Sequence, residues 1–197
     1  MLLFLSFLGC PSSQEDTYQE PESIRARLHL LSAINMSNQS EIPTYSTFEN
    51  IETSTEENGK VDLKVALSSP YQIHARNSLT MNHVYQGMTG EEDFEFIGHL
   101  IDRATLESIY ANLNFGFETG KGLVIASLNY SDSTPVYGAS VGDNPTTSFI
   151  LAAQARPELG NALYEGDSPL VFFPNIEAGF WSTHITPPQD VSCYSFP

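Results

Sequence analysis

Alternation of apolar and polar side chains is clearest where Val61, Leu63, Val65 and Leu67 are separated by Asp62, Lys64 and Ala66. A period of two places the four apolar side chains on one face of an extended segment, so the pattern predicts a half-buried strand that stops at Pro70. A short second strand is expected over Tyr71 to Ala75. Upstream, Ile24, Ala26, Leu28 and Leu30 alternate with Arg25, Arg27 and His29, a strand pattern with one basic face. The spacing Ile24, Leu28, Leu31, Ile34 also suits a helix capped by Ser23, and the strand is preferred. Asn38 to Gly59 is rich in Ser, Thr, Asn and Glu and reads as a long surface loop.

Helical spacing dominates further on. Phe96, Ile97, Leu100, Ile101 and Ala104, then Leu106, Ile109, Tyr110 and Leu113, recur at the period of an amphipathic helix with a break near Thr105. The preceding Glu91-Glu92-Asp93 suits the positive end of a helix dipole. Phe115 and Phe117 lead through Thr119-Gly120-Lys121-Gly122 into Leu123 to Leu128, which reads as a hairpin with a glycine turn. Pro135 to Val141 is a short strand. The Ala-rich Ser148 to Ala155 predicts a helix ending before Pro157, with a further turn or two through Leu163. Pro169 to Phe173 and Ala178 to Thr186 read as strands, the latter holding Trp181. Helices and strands do not alternate regularly. The expected class is therefore α+β, a single domain over residues 23–197 with a largely antiparallel sheet and two or three helices.

Composition narrows the functional classes. The 41% hydrophobic and 11% aromatic fractions supply a core without disulfides or a structural metal. With 8 Lys+Arg against 24 Asp+Glu, the net charge is −16 and the pI is near 4.4. Phosphate binding relies on Lys and Arg displacing counterions, so a nucleic-acid partner is excluded and anionic headgroups are disfavoured. A basic partner or a divalent cation fits this charge; solubility in a salty extracellular medium also explains it and is preferred.

The N-terminus carries an address. Residues 1–9, Met-Leu-Leu-Phe-Leu-Ser-Phe-Leu-Gly, are apolar and uncharged. They fall well short of the roughly 20 residues of a spanning helix and suit a signal-peptide core. Phe7-Leu8-Gly9-Cys10 resembles the lipobox of bacterial lipoproteins, with Gly9 and Cys10 in place, while Phe7 and Leu8 depart from the residues preferred there. No Lys or Arg precedes the apolar run; a start upstream of Met1 would supply one. The resemblance implies cleavage before Cys10, lipid on that cysteine and attachment to a membrane of the cell envelope. Residues 10–22 then form an acidic, proline-containing tether of disordered composition. Lipidation of Cys10 leaves Cys193 as a lone thiol; without it, a Cys10–Cys193 bridge joins the chain ends.

Candidate chemistry is sparse. Gly138-Ala139-Ser140-Val141-Gly142 fits G-x-S-x-G and resembles the nucleophile elbow of α/β-hydrolases, in which glycines permit a strained strand-to-helix turn. The resemblance implies a triad of Ser140, Asp167 and His184, although Asp143-Asn144-Pro145 follows where the helix should begin. Gly116 to Gly122 is one residue short of a P-loop and lacks its Ser or Thr, so it reads as a turn. His99 and Asp102 share a helical face if that segment is helical, and His83 completes a zinc set, although no tight metal motif is present. Glu91, Glu92, Asp93 and Glu95 offer oxygen ligands for calcium without the EF-hand loop pattern. Neither set is strong enough for a metal to be expected, and no cofactor is implied. Tyr71, Tyr85, Tyr130, Tyr137, Phe180 and Trp181 are available to stack on sugars. Asn35, Asn38 and Asn129 begin glycosylation sequons, which carry no information in a bacterium.

These readings favour a lipid-anchored extracytoplasmic protein that binds or scaffolds, with a protein or glycan partner at the surface. The alternatives are a small secreted serine hydrolase using Ser140 and an acidic inhibitor of a basic protein.

Overall fold

The computed structural model describes residues 22–76, 81–129, 134–142, 147–177 and 183–188. The lipobox, residues 10–21 of the tether, Tyr130, Phe180, Trp181 and Cys193 lie outside them.

The first half folds as two facing sheets. β1 (Ser23–Ser32) lies between β4 (Lys60–Ala66), antiparallel, and β7 (Phe94–Leu100), parallel. The second sheet has the order β3 (Thr53–Ser54), β2 (Pro43–Ser46), β5 (Pro70–Ala75), β6 (His83–Met88), all antiparallel. The alternation read from the sequence sets the faces. Ile24, Ala26, Leu28 and Leu30 of β1 meet Val61, Leu63 and Val65 of β4 and Ile73 and Ala75 of β5 in one buried cluster. Their neighbours form a charged outer face, where Arg27 donates to both Asp62 carboxylate oxygens at 2.6 and 2.8 Å. Lys60 pairs with Glu95 at 2.7 Å and Arg25 with Asp93 at 3.1 Å.

Two expectations fail here. Residues 38–59 are not simply a surface loop: β2 and β3 lie within them, and Ile42, Thr44, Ser46 and Thr55 are buried. Hydroxyls make that burial possible. Ser46 Oγ donates to the Lys64 carbonyl at 2.6 Å, and Thr55 Oγ1 donates to the Gln39 carbonyl at 2.7 Å while accepting from Ile42 N–H at 3.0 Å. The long helix is also shorter than its spacing suggests. Phe94–Leu100 is strand β7, and α1 covers Arg103–Leu113. Phe94, Phe96, Gly98 and Leu100 face one way and Glu95, Ile97 and His99 the other, a period of two that the ladder with β1 selects. Asp102 caps α1, its carboxylate accepting from Thr105 N–H and Oγ1 at 2.8 and 2.5 Å. The acidic cluster sits at the start of β7 instead of at the helix.

In the second half the sheet order is β11 (Arg156–Leu159), β10 (Phe149–Ala152), β12 (Leu170–Glu177), β8 (Lys121–Ser127). Leu106, Ile109 and Tyr110 of α1 cover one face against Phe149, Leu151, Leu170 and Phe172. Ile150, Val171 and Phe173 pack on the other side with Val136, Ala139, Val141 and Leu163. Phe149 and Phe172, opposite each other on β10 and β12, stack at 4.6 Å. The Ala-rich segment expected to be helical is β10, a 3-10 turn over Ala153–Ala155, and β11 returning antiparallel. All four β10 residues are buried, and a short apolar run with both faces covered suits a central strand as well as a helix. Pro157 is tolerated because β11 is an edge. β8 pairs with β12, so the expected hairpin with Phe115 and Phe117 does not form. β9 (Ser140–Val141) and β13 (Ile185–Thr186) make a separate two-stranded ladder.

With thirteen strands and one α-helix among the described residues, the fold is mostly β. It replaces the expected α+β class with two or three helices. The antiparallel character holds for every described strand pair except β1 with β7.

Candidate functional site

A cleft of about 330 Å³ lies where β6 and β7 of the first half meet β8 of the second. Lining by consecutive residues Met81 to Tyr85 shows that β6 contributes its edge. β7 contributes alternate residues, Ile97 and His99, and β8 contributes Leu123, Ile125 and Ser127 with Gly122. Alternate residues mean that those two strands present a face.

Packing beneath the cleft fixes this orientation. The ring of Tyr85 occupies the space beside Gly98, where an added Cβ would stand 2.6 Å from it. Tyr85 then donates its hydroxyl proton to the His99 carbonyl at 3.2 Å. With Phe96 and Gly98 turned inward, Ile97 and His99 must point outward to the cleft. On β8, Leu123 and Ile125 pack toward the α1 side and Val124 and Ala126 toward the other core.

The two histidines differ sharply. Nε2 of His83 accepts from Ile101 N–H at 3.3 Å, which leaves the proton on Nδ1 for the Met81 carbonyl at 2.7 Å. Burial pushes the pKa of this ring down. His99 is only 6% exposed, and neither ring nitrogen has a hydrogen-bond partner among the described residues. Burial lowers its pKa to about 4, so the ring is neutral at neutral pH. Each sealed nitrogen without a partner costs on the order of 1–3 kcal/mol. No Lys, Arg, Asp or Glu lines the cleft among the described residues. Lys121, next to Gly122, is held by Glu118 at 2.8 Å. In a chain of net charge −16 this uncharged lining is a local exception.

Other candidate residues fall elsewhere. His83 and His99 reach one site, but Asp102 is committed to capping α1. No group of three or more His, Cys, Asp or Glu suited to a metal occurs among the described residues. Asp93 and Glu95 are paired with Arg25 and Lys60 on the charged sheet face. Ser140 opens β9 opposite Thr186, and Gly142 N–H donates to the His184 carbonyl at 2.9 Å. Asp167 accepts from Tyr164 N–H at 2.7 Å within its own turn. Among the described residues, the next strand or α-helix after Ser140 is strand β10, and Asp143-Asn144-Pro145 lie outside those residues. Tyr71 and Tyr85 lie with Phe94 and Phe96 in an aromatic cluster inside the first half, and Tyr137 is exposed. Asn38 meets His29 at 2.9 Å, and Asn129 donates to Ser127 Oγ at 2.6 Å.

Sequence reasoning named His83 and His99 but missed the cleft and the contributions of Ile97, Leu123 and Ile125. The signal was available in the alternation of Phe94, Phe96, Gly98 and Leu100 against Ile97 and His99.

No known family pattern and no curated protein matches the chain. Among solved structures it is similar to the Bacillus anthracis TIE protein, at 9% identity and a TM-score of 0.30 over 84% of this chain. It is also similar to a streptococcal ancillary pilin, at 8% identity and a TM-score of 0.32 over 80% of this chain. The chain spans 26% of the first protein and 51% of the second. No helix among the described residues is long and apolar enough to cross a membrane.

Proposed function

We propose that the chain is an extracytoplasmic lipoprotein, anchored through Cys10, whose folded part is a binding module with its site in the β6–β7–β8 cleft. The observation that carries the binding role is His99, a buried imidazole whose two nitrogens have no partner among the described residues, on the wall of a cavity whose described lining is uncharged and largely apolar. Sealed polar groups without partners are rare because they cost stability, and one on a cavity wall matches the small number of polar groups that orient a ligand in a mostly apolar site. The cavity volume is within the range of small-molecule sites. Support for the anchor comes from the apolar run ending in Gly9-Cys10 and the polar segment after it. A lipoprotein's several acyl chains hold it stably where a single chain does so only marginally.

Two measurements test the two halves. Labelled palmitate should enter the wild type in a bacterial host and not the Cys10→Ser variant; labelling in neither overturns the anchor. A fragment screen by methyl-resolved NMR should yield compounds that shift Ile97, Leu123 and Ile125 and lose that effect in Ile125→Trp, which fills the cleft. A screen without such compounds overturns the binding role.

A further inference from the structure

We infer that the cleft selects a small, electrically neutral molecule with an apolar body and one hydroxyl or primary amide group, the polar group being read by His99. This deepens the reading of the cleft as the binding site and rests on it.

Charge comes first. A cationic ligand finds no carboxylate in the described lining, and an anionic one finds no Lys or Arg there. The field of a chain carrying −16 repels an anion further. His83 cannot serve as a counter-charge, since both its nitrogens are committed to backbone groups and burial disfavours its protonation. A charged ligand would therefore lose hydration with no ion pair in return.

Polarity comes second. A neutral imidazole offers one N–H donor and one lone-pair acceptor, and in His99 neither has a partner among the described residues. A hydroxyl or primary amide also donates and accepts, so either can partner whichever nitrogen it meets. Neither nitrogen is solvent-accessible in the structure, so binding includes rotation of the ring toward the cleft. Ser127 adds a second polar contact, because its oxygen accepts from Asn129 and its proton remains free to donate. Met81, Val84, Ile97, Leu123 and Ile125 give the body of the ligand apolar surroundings.

Three probes sharing one ring separate the terms: p-cresol (neutral, with a hydroxyl), toluene (no polar group) and p-toluate (an anion). Each is titrated at neutral pH into the folded protein while the Ile97, Leu123 and Ile125 methyls and the His99 ring nitrogens are followed by NMR. Cresol should saturate the methyl shifts and move the His99 nitrogen signals. Toluene should bind about tenfold more weakly, the equivalent of one hydrogen bond of about 1.4 kcal/mol. Toluate should leave the methyls unmoved. In His99→Phe the cresol and toluene affinities should converge, and in Ile125→Trp both should be lost. Equal wild-type affinities for cresol and toluene, or a cresol preference that survives His99→Phe, overturn the role of His99. Binding of toluate but not cresol overturns the ligand class while leaving the cleft a binding site. No shift with any probe overturns the inference, and the palmitate result stands apart from all of these outcomes.

Discussion

Lowering the pH from 7 to 5 should weaken the fold by about 2 kcal/mol through His99 alone. An imidazole free in the unfolded chain titrates near 6.5, whereas burial holds that of His99 at about 4. The unfolded state therefore takes up a proton first. Stability contributed by the neutral ring is fully present above about 6.5, is lost as pH falls below it, and is exhausted near 4. Integrating proton uptake between these values gives about 2 kcal/mol by pH 5 and about 3 by pH 4. The residue is only 6% exposed, so solvent screening reduces this little. In a chain of this size about 2 kcal/mol lowers Tm by about 4–8 °C. His83, also depressed by burial, adds to the same trend, so the informative quantity is a difference between proteins. Urea unfolding of the wild type and His99→Leu at pH 7, 6 and 5 isolates the His99 share. Leucine removes the titration and two unpartnered nitrogens together, so the variant should match or exceed the wild type at pH 7. Its advantage should grow by about 2 kcal/mol at pH 5. The carboxylates held down by their partners, among them Asp62, Glu95 and Asp102, keep most of their contribution down to about pH 5 and lose it below. Parallel pH dependences in the two proteins would refute the assignment of a buried neutral ring to His99.

Gly98→Ala should destabilise by about 1–3 kcal/mol in chemical denaturation, because the new methyl would meet Tyr85 at 2.6 Å and Leu28 at 2.9 Å in packed surroundings. Asp102→Ala should cost about 1 kcal/mol by removing the cap of α1, with faster amide hydrogen exchange at Thr105 as its local signature.

Sequence alone determined the alternating strands and much about charge. In β1 and β4 every second residue is apolar, so one face had to be buried whatever lay opposite, and the structure pairs them over Ser23↔Ala66 to His29↔Lys60. The helix over residues 103–113 was likewise legible in Leu106, Ile109 and Tyr110, and the shortage of cations needed no fold to be read. Tertiary structure decided the rest wherever two periods competed. Phe94 to Leu100 carries apolar side chains at both spacings, and only the parallel ladder with β1 makes it a strand with His99 outward. Phe149 to Ala152 is apolar at every position, so its state depends on α1 covering one face and the Val141 cluster the other. Ser46 and Thr55 look like loop residues until β4 and Gln39 supply backbone carbonyls that allow their hydroxyls to be buried. The cleft belongs to this second group. Its walls come from residues 81–85, 97–99 and 122–127, and a desolvated imidazole without a partner is a property of packing, which no local pattern of side chains records.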